Sequence, residues 1–226
     1  MVLRKIRALV IVYMFLALAV GGFARKHGSQ SASSGANNTP GSFDYYQLTL
    51  SWAPQFCASQ QGKAPSSECD PKRHYGLVVH GLWPQNDNGS YPQDCAPAQP
   101  VSGDIVREML PIMPARGLIQ HEWSKHGTCS GLSAQDYFAE IQQAYKQIKV
   151  PEDYQHPTQT LEVGPGKITQ SFAEANGAPS DAFRVSCKNA EFVELDVCLT
   201  KDLHYRACGA STAKCTAHQV RVLPTP

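Results

Sequence analysis

The chain is short of charge of either sign. Its 226 residues carry 20 lysines and arginines against 19 aspartates and glutamates, a net charge of +1. Proteins that coat nucleic acid present a strongly basic face, so this balance excludes a stoichiometric nucleic-acid binder. It does not exclude an enzyme that grips one or two phosphates and lets go. Long apolar runs are also scarce. The one prominent run, Ala8 to Val20, is shorter than the roughly 20 residues a bilayer span requires. No two cysteines stand at the C-x2-4-C separation of zinc modules; even the nearest pair, Cys208 and Cys215, is too far apart. There is no G-x-x-x-x-G-K-[ST] loop to cradle a nucleoside triphosphate. There is no G-x-S-x-G elbow to present a nucleophilic serine. No internal repeat and no second linker divide the chain.

What is present begins with a targeting pattern. Arg4, Lys5 and Arg7 precede the apolar run, and Gly22-Phe23-Ala24 supplies small residues at a cleavage position. Residues 1–24 are therefore predicted to be a secretory signal peptide. Residues 25–42 are rich in Ser, Gly and Asn and predict a flexible segment. Residues 43–226 then form a single folded domain. Loss of residues 1–24 would leave 17 basic against 19 acidic residues, a net charge of −2. All eight cysteines fall in this domain: Cys57, Cys69, Cys95, Cys129, Cys187, Cys198, Cys208 and Cys215. An even count behind a signal sequence predicts four disulfides and a secreted or periplasmic location. Spacing alone leaves about 105 connectivities open. Asn37-Asn38-Thr39 and Asn88-Gly89-Ser90 are glycosylation sequons, of consequence only in a eukaryotic source.

The periodicities predict an α+β fold, an antiparallel β-sheet packed with several helices and stapled by four disulfides. Tyr45 to Ser51 alternates as a strand with Tyr46, Leu48 and Leu50 on one face. Gly76 to His80 predicts a second short strand, with the polar stretch Cys57 to Arg73 as a loop between them. Asn86 to Gly89 is a turn cluster. Ser102 caps a short helix through Asp104, Val106, Met109 and Leu110, which Pro111 and Pro114 break. A helix covers His121 to His126 and stops near Gly127. Ser133 opens the clearest helix, in which Tyr137, Phe138, Ile141, Ala144, Tyr145 and Ile148 repeat at helical spacing before Pro151. Lys167 to Asn176 is a further helix ended by Gly177. Strands follow at Phe183–Cys187, Glu191–Thr200, Tyr205–Cys208 and Gln219–Leu223.

Two dense windows carry the chemistry: His80-Gly81-Leu82-Trp83-Pro84-Gln85 and His121-Glu122-Trp123-Ser124-Lys125-His126-Gly127-Thr128-Cys129. On a helix, Glu122, Lys125 and His126 share a face that His121 overlaps, while Trp123 points into the core. The two histidines of the second window are five residues apart, about 140° around a helix. They cannot ligate one zinc as an H-E-x-x-H pair does, and no metal site or cofactor is expected. Ser124 lacks an elbow, and Cys129 is best explained as a disulfide partner. With neither metal nor protein nucleophile, the attacking group belongs to the substrate. RNA carries one in its 2′-hydroxyl and DNA does not. Two imidazoles can then serve as base and acid at mildly acidic pH.

These windows resemble the two catalytic segments of the ribonuclease T2 family, the secreted acid ribonucleases. His80 to Pro84 match H-G-L-W-P, and His121 to Cys129 match H-E-W-x-K-H-G-T-C. Tyr45 to Trp52, followed by Cys57, is similar to the family's N-terminal strand. The resemblance runs from about Phe43 to Leu223. It implies an endoribonuclease that cleaves single-stranded RNA with low base specificity, through a 2′,3′-cyclic phosphate to 3′-phosphate ends. His126 would be the general base and His80 the general acid. Glu122 and Lys125 would stabilise the pentacoordinate phosphate. His121 would assist phosphate binding, and Trp83 would be the aromatic at the base site. The family also implies the pairs Cys95–Cys129, Cys187–Cys215 and Cys198–Cys208, which leaves Cys57 to pair with Cys69. The expected partner is RNA alone, with no DNA, no stable membrane association after signal cleavage, and a monomeric protein. A catalytically idle binding or storage relative would be marked by a lost catalytic histidine, and both are present.

Overall fold

Alternation decides the centre of the molecule. In the computed structural model, which describes residues 37–60, 67–210 and 215–226, β1 (Tyr45–Trp52) sends Tyr46, Leu48, Leu50 and Trp52 into the hydrophobic core. Tyr45, Gln47, Thr49 and Ser51 occupy its other face, as the period of two requires. In chain order the remaining elements are α1 (Ala53–Ser59), β2 (Leu77–Gln85), α2 (Gly103–Met109), α3 (Arg116–Lys125), α4 (Ala134–Lys146), α5 (Glu152–Gln155), β3 (Leu161–Val163), α6 (Pro165–Asn176), β4 (Phe183–Lys188), β5 (Glu191–Leu199) and β6 (Val220–Val222).

β1 lies between antiparallel neighbours, β2 on one side and β5 on the other. β4 pairs with the far edge of β5. β6 meets β5 through a single parallel pairing, Glu191 with Arg221, beyond the point where β1 ends, and β3 pairs antiparallel with β6. β2 forms an edge of the sheet, where Pro84 is tolerated because a missing N–H costs least there. The Trp52 indole donates to the Leu223 carbonyl at 3.0 Å and ties the end of β1 to the chain just past β6.

Helices cover the apolar face of the sheet. α4 contributes Tyr137, Phe138, Ile141 and Ala144, α2 contributes Ile105, Val106 and Met109, α3 contributes Ile119, and α6 contributes Ile168 and Phe172. Local signals open these helices. Ser102 and Ser133 cap α2 and α4 by accepting the N–H of Ile105 and Asp136. Gly177, at φ 60°, stops α6 in the left-handed region. The Tyr137 hydroxyl donates to the Leu82 carbonyl at 2.9 Å, fastening α4 to β2. Disulfides join Cys57–Cys69, Cys95–Cys129, Cys187–Cys215 and Cys198–Cys208.

Several local expectations are corrected. β2 does not end at His80 but runs through the first window to Gln85, because pairing with β1 continues to Tyr45. Cys57 lies in α1 rather than a loop, since Pro54 starts a helix directly after β1. α3 begins at Arg116, five residues before His121. α4 stops at Lys146, so Ile148 packs from outside the helix, and Pro151 precedes the unforeseen α5. Tyr205–Cys208 forms no strand; its pairing is one isolated bridge, Leu199 with Tyr205. β3 has too few residues to show periodicity. The proposed signal peptide, and the flexible segment up to residue 36, lie outside the described residues. Among the described residues no helix is long and apolar enough to cross a membrane.

Candidate active site

The two windows meet because β2 and α3 are neighbours. In β2, Leu82 belongs to the core, and strict alternation would send His80 and Val78 there with it. The pairing register shifts instead. Thr49 faces Gly81, Leu50 faces Val79, and His80 is the extra residue of a β-bulge. Val79 and Leu77 therefore join Leu82 in the core, and His80 is released to line a cleft with Trp83. A bulge of this kind re-aims a side chain; here it spares an imidazole from burial among hydrocarbon.

The second window is held by its turn. α3 ends at Lys125, and His126 caps it at φ −114° and ψ −43°, its N–H still bonded to the Glu122 carbonyl at 3.0 Å. Gly127 follows where any Cβ would overlap the Trp123 and Tyr137 rings. Trp123 packs against the core, its ring 5.8 Å from that of Tyr137. The Cys95–Cys129 disulfide and the bond from Asp94 N–H to the Lys125 carbonyl, at 2.8 Å, fasten the loop after β2 onto this turn.

His80, Trp83, His121, Glu122, Lys125 and His126 all line one cleft of about 340 Å³. Trp83 organises it. Its indole N–H donates to Glu122 Oε2 at 2.7 Å. Its ring stacks on His126 with centroids 5.1 Å apart and meets His80 edge-on at 5.1 Å. Gly81 leaves the space that Glu122 fills; a Cβ there would overlap Glu122 Oε2 and Trp83 Nε1. His80 Nδ1–H donates to Glu194 Oε1 at 2.7 Å, and its Nε2 lies 3.7 Å from Glu122 Oε1. His121 is exposed at the rim. Among the described residues no group of three or more His, Cys, Asp or Glu could hold a metal ion.

Electrostatics drive the two imidazoles apart. Burial, aided by the charges of Lys125, His121 and His80, brings the pKa of His126 down to about 3. His126 is 6% exposed, and its Nδ1 has no hydrogen-bond partner among the described residues. Burial also works to lower His80, but the hydrogen bond and charge of Glu194, with the charges of Glu122 and Glu68, outweigh it and leave the pKa raised. Burial pushes the Glu122 carboxyl up to about 7 against the pull of His80, Trp83 and Lys125. Near pH 5 the site thus holds a neutral imidazole, an imidazolium and a largely protonated carboxyl group.

Residues outside the two windows complete the site. Tyr91 sets its ring 6.4 Å from His126, and Gln47 lines the cleft from β1. Glu194 comes from β5, far away in sequence. Nothing in the sequence marks Tyr91. For Glu194 the only signal is the polar position it holds in an alternating strand.

The chain resembles known proteins in sequence and in fold. Residues 43–208 match the model of the Ribonuclease T2 family. The chain is 40% identical to a probable ribonuclease of Haemophilus influenzae over 128 residues, covering 50% of this chain and 46% of that protein. It is 41% identical to a ribonuclease of Aeromonas hydrophila over 107 residues, covering 47% of each. The chain thus spans about half the length of these curated relatives. The RNase-related protein from Calystegia sepium shares the fold, with a TM-score of 0.65 and 20% identity over 81% of this chain and 98% of that one. With the family match spanning both windows and the sheet that brings them together, the chain belongs to the ribonuclease T2 family.

Proposed function

We propose that the protein is a T2-type endoribonuclease that cleaves single-stranded RNA by metal-free transesterification. The observation that carries this reading is the pair of imidazoles on one indole, His126 held neutral and His80 held protonated. His126 takes the proton of the 2′-hydroxyl as its oxygen attacks phosphorus. The bond from phosphorus to the 5′-oxygen breaks, and His80 delivers its Nε2 proton to that oxygen. The products are a 2′,3′-cyclic phosphate and a free 5′-hydroxyl. In the second step His80 takes a proton from water, His126 returns one to the 2′-oxygen, and a 3′-phosphate results. The Lys125 ammonium, the protonated Glu122 and His121 donate to the phosphoryl oxygens as their charge rises.

A second cavity of about 550 Å³, lined in part by Ser51, Phe56, Leu118 and Glu194, also reaches His80. It opens on the Glu194 side of the His80 ring, next to the cleft, and its room for further nucleotides supports cleavage inside a strand. Trp83 and Tyr91 offer flat faces to a base, and stacking tolerates every base, which supports low base specificity. Without the 2′-hydroxyl the first step has no nucleophile, so DNA is no substrate. Four disulfides call for an oxidising compartment. With residues 1–24 as a signal peptide and 43–226 as the catalytic domain, the protein is a secreted or periplasmic monomer.

The test is digestion of single-stranded RNA and matched DNA at about pH 5 in excess EDTA, with products analysed by mass. RNA fragments ending in 2′,3′-cyclic phosphate, with intact DNA, are expected. Cleavage of both polymers, or loss of activity in EDTA, would overturn the mechanism.

A further inference from the structure

We propose that Glu194 is a positioning residue for His80, fixing which ring nitrogen carries the exchangeable proton. This rests on the ribonuclease reading above. His80 Nδ1–H donates to Glu194 Oε1 at 2.7 Å, and Ser51 Oγ–H donates to the same oxygen at 3.1 Å. Ser51 stands directly opposite Glu194 in the pairing of β1 with β5 and opposite Val78 in the pairing with β2. Glu194, Ser51 and Val78 therefore form one row across the sheet, and His80 sits beside it, just past Val79.

Two irregularities flank this row. His80 is the extra residue of the bulge in β2. Val193, beside Glu194, is skipped in the pairing of β5 with β4. Without the first bulge His80 would face the core. Without the second, Glu194 and Phe192 would share a face, whereas Phe192 is in the core and Glu194 is not.

The other ionisable groups near His80 cannot do this work. Glu122 faces the opposite nitrogen, Nε2, at 3.7 Å. Glu68 adds its charge to the pull that raises His80, and His80 in turn lowers Asp196 and His126 through its own charge. The general acid must lose its Nε2 proton in one step and use the same nitrogen as a base in the next. A carboxylate bonded to Nδ1–H keeps that proton in place throughout, so Nε2 alone cycles. A neutral imidazole without such a partner can carry its proton on either nitrogen, and only one of the two forms is then a competent base.

The test has two arms on the full chain with its disulfides intact. In the wild-type protein, nitrogen-15 NMR of the neutral His80 ring should show the proton on Nδ1. A proton on Nε2 would overturn the proposal without any variant. In Glu194→Gln the amide oxygen can still accept from Nδ1–H but the charge is gone, so the His80 titration should move down by about one pH unit or more. RNA cleavage should fall about 10- to 100-fold above pH 6. The loss should shrink to about threefold or less on uridine 3′-(p-nitrophenyl phosphate), whose leaving group departs without a proton. An unmoved His80 titration, or an equal loss on both substrates at every pH, would show that Glu194 is merely structural. If the wild-type protein leaves RNA intact, the ribonuclease reading fails; the NMR result still decides whether Glu194 sets the tautomer.

Discussion

The indole N–H of Trp83 reaches across from β2 to Glu122 Oε2 in α3 at 2.7 Å, joining the two windows by one hydrogen bond. The sequence presents Trp83 as an aromatic for a base; the structure adds that it orients Glu122 and screens His126 from water. Trp83→Phe keeps a ring but removes the donor. Leaving a buried acceptor without its donor costs about 1–3 kcal/mol. The expected outcome is a kcat about 10- to 100-fold lower with a smaller change in KM. Steady-state kinetics on a dinucleotide check this; a rise in KM alone would confine Trp83 to base binding.

Gly81 stands where Glu122 needs room. Gly81→Ala would push a methyl group into Glu122 Oε2 and Trp83 Nε1. Both belong to the cleft, so the damage should be catalytic before it is global. We expect RNA cleavage to drop about 100-fold or more, while far-ultraviolet circular dichroism and the four disulfides stay as in the wild type. Full activity in this variant would mean that Glu122 can move without cost.

The divergent imidazoles set the pH profile. His126, brought down to about 3, is neutral above about pH 4 and so over the rest of the acid range. An acid raised above its ordinary value of 6.5 keeps its proton there. kcat/KM should therefore plateau between about pH 4 and pH 6, fall on the acid side as His126 gains a proton, and fall on the alkaline side as His80 and Glu122 lose theirs. His126→Phe and His80→Phe should each cost about 10²- to 10⁴-fold across this range. Rates measured at constant ionic strength give the two limbs directly.

Asp196 predicts how stability responds to pH. It is 3% exposed, its Oδ1 accepts from Thr49 Oγ–H at 3.0 Å, and burial raises its pKa from 3.8 to about 7. Between those values the folded state holds a proton that the unfolded state has lost. Asp196 therefore makes stability fall as pH rises from about 4 to about 7. Asp196→Asn retains an acceptor for Thr49 and removes the titration. Its melting temperature should match the wild type at pH 4 and exceed it at pH 8 by on the order of 5 °C. An equal difference at both pH values would refute the assignment.

Much of this protein was legible as pattern. Alternation in Tyr45–Trp52 names the core face of the central strand, and Ser102, Ser133 and Gly177 mark real helix ends. Where pattern failed, another contact competed with it. The Tyr205–Cys208 stretch looks like a strand, yet only Tyr205 finds a bridge, while Arg206 turns its guanidinium onto the Tyr45 ring and Asp87. Cys57 looks like loop because its window is polar, yet Pro54 and the end of β1 start a helix through it.

By itself the sequence determined which groups gather: three imidazoles, a carboxyl and an ammonium in two windows, and eight cysteines to brace them. Residue type and short spacing are local properties, so the chain states them outright. The tertiary structure decided how those groups are aimed and charged. The bulge that turns His80 out of the core exists only because β2 must pair with β1 on both sides of it. The partner that keeps His80 protonated, Glu194, arrives from a strand at the other end of the domain. The desolvation that keeps His126 neutral comes largely from its burial beneath Trp83 and its neighbours. Register, long-range pairing and burial arise from the packing of whole elements, and no window of sequence contains them.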